Sequence, residues 1–142
     1  MYIVRFTRSD DKPVEEYPYR TEIEAVKHFN LFRNDDSGIY RNIAVVEENS
    51  NTVIAILLFD SEGRPTGTFK AGDIVRLKTE FCSEWERHLV FSVSNINEAT
   101  SRCTITCLNS GMAIPSSEIV GLDMIRQVAD GKPLNIDEIA KQ

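Results

Sequence analysis

Gly72-Asp73-Ile74-Val75-Arg76-Leu77-Lys78 and, further on, Ile114-Pro115-Ser116-Ser117-Glu118-Ile119-Val120 organise the second half of this chain. The first reads as a turn that opens onto a strand, because Gly-Asp supplies turn chemistry and Ile74, Val75 and Leu77 favour extended backbone. The second reads as a short strand, a tight turn and a last strand. Between them lie two alternating segments. Leu89, Phe91 and Val93 alternate with Val90 and Ser92; Cys103, Ile105 and Cys107 alternate with Thr104 and Thr106. A period of two marks strands with one face buried. Strands are expected at 73–79, 87–94, 102–108, 112–115 and 119–126, with 95–101 as a hairpin loop and Asn109-Ser110-Gly111 as a tight turn. Five short strands in this order suggest a small β-barrel.

The order of strands and turns over residues 68–128 resembles SH3-like barrels. Gly72 to Leu77 is similar to the opening of small bacterial barrels of the KOW kind. Ile114 to Val120 is similar to the Pro-Ser-containing 3₁₀ turn before the last strand of SH3 domains. The resemblance implies a binding fold. It does not extend to the aromatic groove with which signalling SH3 domains grip Pro-rich peptides. Glu118 stands where that family has Tyr, and Trp85 lies in the first long loop. KOW modules usually carry more basic charge than this segment does. Fold likeness by itself carries no function.

Upstream, Tyr2 to Thr7 is rich in β-formers, and Asp10-Asp11-Lys12-Pro13 is turn chemistry. Val14 to Tyr19 reads as an edge strand, since Pro18 cannot donate to a ladder. Thr21 and Glu24 form a capping box for a helix whose apolar face is Ile23, Val26, Phe29 or Asn30, and Phe32. Tyr17, Tyr19, Phe29, Phe32 and Tyr40 are placed to cluster. Asn34-Asp35-Asp36-Ser37-Gly38 stops the helix and lacks the ligand spacing of a calcium loop. Residues 40–47 and 52–59 are strands, the second nearly all apolar and so expected to be central and covered by the helix. Asp60-Ser61-Glu62-Gly63-Arg64-Pro65-Thr66-Gly67 is polar, with two Gly and one Pro, and reads as a boundary.

The fold class expected is therefore α+β. An N-terminal ββαββ unit (1–60) leads through a linker (61–67) to a five-stranded SH3-like β-barrel (68–128). A polar tail (129–142) follows, in which Asn135 and Glu138 are a capping box for a short helix.

The 142 residues carry 16 Lys+Arg against 22 Asp+Glu, a net charge of −6, and neither residues 1–65 nor 66–129 are basic. General nucleic-acid binding needs clustered positive charge, so it is not favoured. No apolar run reaches the ~20 residues of a membrane helix. Three cysteines suggest no disulfide framework. With no secretory signal visible at the N-terminus, a cytoplasmic location is expected.

Candidate chemistry is sparse. Cys103 and Cys107 on one strand stand about 13 Å apart at ~3.3 Å per residue. Both sulfurs would need to lie ~2.3 Å from a shared zinc, so they read as core. Cys82, Glu84, Glu86 and His88 invite a nucleophile or metal reading, but their spacing matches no catalytic signature. His28, four residues after Glu24, reads as one half of a surface Glu–His pair. There is no phosphate loop and no His-Glu-x-x-His. No metal, cofactor or catalytic group is expected, and the chain is read as no enzyme. The expectation is a non-catalytic interaction module that binds a protein partner or a second copy of itself. Trp85 would be the anchor, with Arg87, Glu84, Glu86 and His88 around it, because Trp and Arg are enriched at binding hot spots. The hairpin tip 95–101 and the 14–19 edge are further contact candidates. The alternatives are a nucleic-acid-binding accessory protein using Arg76, Lys78, Arg87 and Arg102, and an enzyme built on Cys82 and His88.

Overall fold

The structure is a computed structural model that describes residues 1–111 and 116–128. The chain divides into two compact units, Met1–Lys70 and Ala71–Gln142. Each is built on one antiparallel five-stranded sheet.

The first unit runs β1 (Tyr2–Arg8), β2 (Glu15–Tyr19), α1 (Glu22–Asn30), β3 (Tyr40–Glu47), β4 (Thr52–Phe59) and β5 (Pro65–Lys70), in the sheet order β2-β1-β3-β4-β5. Glu15–Tyr19 is thus an edge strand, one residue shorter than the expected 14–19, as its proline predicts. The helix packs on β1, β2 and β3. Val4 and Phe6, Ile43 and Val45, and Ala55, Leu57 and Phe59 recur at every second residue and meet Ala25 and Phe29 of the helix in one core. That repeat puts one face of each strand into this core, but the central strand lying under the helix is β3, not the 52–59 strand expected there. Thr21 caps the helix by accepting the Glu24 N–H at 3.3 Å, while its hydroxyl donates to Glu24 Oε1 at 3.0 Å. The expected apolar stripe is rotated: Ala25 and Phe29 are buried and Ile23 is exposed.

Two features overturn the expected fold class. Residues 61–67 are no linker. Asp60 to Arg64 is a hairpin turn, and β5 pairs with β4 through Leu57↔Thr68, Leu58↔Gly67 and Phe59↔Pro65. The first sheet therefore has five strands, not four. Pro65 is tolerated because it is the first residue of an edge strand.

The second unit contains β6 (Ile74–Leu77), β7 (Phe91–Asn97), β8 (Arg102–Cys107), β9 (Ser117–Gly121) and β10 (Ile125–Gln127), in the order β10-β6-β7-β8-β9. The sheet is open: among the described residues no ladder joins β9 to β10, so the expected closed barrel is not found. Among the described residues the architecture is two sheets with one nine-residue α-helix, mostly β rather than α+β. In a flat sheet, edge strands four spacings apart would be separated by about 19 Å. Gly121 and Ile125 are four residues apart, which reach at most about 14 Å. The sheet must curl, but it does not close.

The 119–126 strand is split in two by a 3₁₀ turn at Leu122–Met124. Of the stretch expected to hold a 3₁₀ turn before it, Ser117 and Glu118 already belong to β9, and Ile114 and Pro115 lie outside the described residues. Strand β7 extends past the expected 94 to Asn97, with a register shift after Ser94, where Asn95 takes φ 49°. Cys103, Ile105 and Cys107 are buried as their alternation predicts, with Val75, Phe91, Val93 and Val120. The expected 112–115 strand and the tail with its Asn135–Glu138 capping box lie outside the described residues. Among the described residues, no helix is long and apolar enough to cross a membrane.

Candidate functional site

The loop between β6 and β7 is built from two single 3₁₀ turns, Thr79–Phe81 and Glu84–Glu86. Ser83 opens the second. Its N–H donates to Glu86 Oε1 at 3.1 Å, and its hydroxyl donates to the same oxygen. Two donors on one carboxylate favour its charged form, so Glu86 is held below its ordinary pKa by the Ser83 hydroxyl first and the Ser83 amide second. Backbone bonds continue the turn: the Glu86 N–H donates to the Ser83 carbonyl at 3.0 Å, and the Leu89 N–H to the Glu86 carbonyl at 3.0 Å. Glu86 is therefore a structural brace rather than part of a free rim.

Trp85 is the middle residue of this braced turn and is 70% exposed. Phe81, on the preceding turn, is 45% exposed. The far end of the loop is stapled by Asn109. Its Nδ2 donates to the His88 carbonyl at 3.0 Å, and its Oδ1 accepts the Val90 N–H at 2.9 Å. By sequence alone Asn109 is turn chemistry. Its signal, an Asn facing a strand start across a hairpin, exists only once β7 and β8 are paired.

The sequence-predicted residues fall into two groups. Trp85, Glu84, Arg87 and His88 are exposed on the loop, and Glu86 is half-buried. Cys82 is half-buried, and among the described residues no hydrogen bond links it to His88. Among the described residues no cluster of three or more His, Cys, Asp or Glu is placed to hold a metal. Cys103 and Cys107 are free and buried, and burial pushes the Cys103 thiol up to about 11.

Two of the basic residues of the alternative reading, Arg76 and Arg102, stand far apart. Arg76 lies one residue beyond Val75, which faces Phe91 at the start of β7. Arg102 faces Asn97 at the end of β7. Six residues along a strand is about 20 Å at ~3.3 Å per residue. Arg76 instead faces Arg126 of β10. The same register puts the 98–101 turn at the opposite end of β7 from the Trp85 loop, so the two contact candidates are separate surfaces.

In the first unit, His28 is not half of a surface pair with Glu24. Its ring lies 5.2 Å from Tyr17, 5.6 Å from Tyr19, 5.4 Å from Phe6 and 5.7 Å from Phe32, centroid to centroid. Tyr19 Oη is 2.8 Å from its Nδ1. Of the cluster expected of Tyr17, Tyr19, Phe29, Phe32 and Tyr40, the rings of Tyr17, Phe32 and Tyr40 meet around Phe6. Tyr19 joins through His28, and Phe29 is buried instead in the core between helix and sheet. Comparison with protein-family models, with curated proteins and with solved structures finds no match to this chain.

Proposed function

We propose that this protein is a non-catalytic binding module that engages a protein partner through the loop 79–88, with Trp85 as its anchor. The observation that carries the reading is a tryptophan held out in solvent by a braced turn. A fully buried aromatic brings about 150–250 Å² out of water, and at ~25 cal/mol per Å² that is several kcal/mol of gross stabilisation. Trp85 does not contribute most of that to this chain's own folding, so it remains available to an interface. The brace lowers the ordering cost that a loose loop would add on binding. Phe81 extends the apolar contact. Glu84 and Arg87 supply the charged rim that sets orientation.

The test uses the single tryptophan as its own reporter. The free protein should give red-shifted emission, strongly quenched by acrylamide. A partner recovered by affinity capture should shift that emission to the blue and shield it. Trp85→Ala with Arg87→Ala should abolish capture while the circular dichroism spectrum and melting temperature stay unchanged. Capture that survives the double substitution would remove this loop from the interface.

A further inference from the structure

We propose that His28 is a proton-sensitive clamp on the edge strand β2: its neutral ring pins the strand to helix α1, and its protonation releases it. Among the described residues strand β2 has a ladder on one side only, to β1. Glu16, Tyr17 and Pro18 are exposed. Tyr17 and Tyr19 stand on the helix side, opposite Val4 and Tyr2 of β1, and both rings close on His28. His28 thus joins helix and edge strand through three contacts: two edge-on rings and one hydrogen bond.

The surroundings suit a neutral imidazole. In the tautomer protonated at Nε2, Nδ1 accepts from the Tyr19 hydroxyl and the ring needs one further partner, for Nε2–H. Protonation makes both nitrogens donors, so the Tyr19 hydroxyl must turn to accept. The groups around the ring offer little to balance the new charge. From β1 there is Phe6, and from the segment after the helix Phe32. From β2 there are the two tyrosines, with Glu15 committed to the Tyr17 hydroxyl at 3.0 Å and to Arg8 at 3.4 Å. On the helix, Glu24 accepts from the Thr21 hydroxyl, and Lys27 adds positive charge. Burial among the rings lowers the His28 pKa below its ordinary 6.5. The folded protein then binds fewer protons than the unfolded chain. The stabilisation is complete above 6.5 and is lost as pH falls through the folded-state value.

Native-state hydrogen exchange of the full chain tests this, with the interior strand β4 as internal reference. From about pH 7.5 to about pH 5, the range in which histidines titrate, the protection of β2 amides relative to β4 should fall severalfold. His88→Gln should behave as wild type, and His28→Phe, which keeps a ring without a titrating nitrogen, should hold β2 protection level. An equal fall in His28→Phe, or no fall in the wild type, would overturn the clamp. Should His28→Phe not fold, Tyr19→Phe gives a second reading by NMR titration. The His28 midpoint should rise towards 6.5 once Nδ1 loses its donor. A wild-type midpoint above 6.5 would show that the rings hold the imidazolium by cation–π attraction, and would also overturn the proposal.

Discussion

Gly63 packs backbone to backbone against Gly38. A Cβ on Gly63 would stand 2.3 Å from the Gly38 Cα, and both residues have φ near +77°. The contact joins the β4–β5 turn to the segment that leads into β3. Asp60 tightens that turn by accepting the Glu62 and Arg64 N–H groups, each at 2.9 Å. Gly63→Ala meets a backbone clash and a strained φ together, each worth about 1–3 kcal/mol by the usual cost of such strain. Urea unfolding should show a loss of at least about 2 kcal/mol on that scale. A flexible linker at 61–67 would instead tolerate the change.

Phe6 is 1% exposed and holds the centre of the aromatic cluster, with Phe32 at 4.8 Å and Tyr40 at 5.3 Å. Phe6→Ala leaves a cavity under α1 and should cost about 3–5 kcal/mol. Denaturant midpoints measure this. They should also show Thr21→Ala costing about 1 kcal/mol, through loss of the N-cap.

Asn109 lies outside the exposed Trp85 loop but fixes its end. Asn109→Ala strands the Val90 N–H, whose residue is fully buried, and the expected cost is about 1–3 kcal/mol. It also frees the loop at His88. Acrylamide quenching of Trp85 should change in this variant although no residue of the loop has been altered. Unchanged quenching would show that the 3₁₀ turn with Ser83 and Glu86 holds Trp85 without the staple.

The three thiols should separate by access. Cys82, half-buried, should react with a maleimide in the folded state; Cys103 and Cys107 should react only on unfolding. Alkali offers an independent check. The Cys103 thiol moves from an ordinary 9.0 to about 11 in the fold. The folded state therefore binds more protons between those values. The contribution is complete below pH 9.0 and is lost as pH rises towards about 11. Stability across that window should fall less in Cys103→Ala than in the wild type.

Local chemistry alone determined much of this chain. Period-two alternation placed Cys103, Ile105 and Cys107 inside β8. Thr21 capped α1, Pro18 marked an edge strand, and Trp85 fell on a loop between strands. These are properties of a few neighbouring residues and need no knowledge of the rest of the fold. Pairing partners were beyond that reach. The residues from Pro65 onward carry linker composition, yet they become β5 because β4 presents a free ladder beside them. Whether β9 and β10 would close the second sheet depends on curl and register, which no local pattern encodes. Distance along a strand, rather than residue type, separated Arg76 from Arg102. Burial among rings from β1, β2 and the helix, rather than its place four residues after Glu24, gave His28 its surroundings. Short-range chemistry specifies which elements form, and long-range pairing specifies which side chains meet.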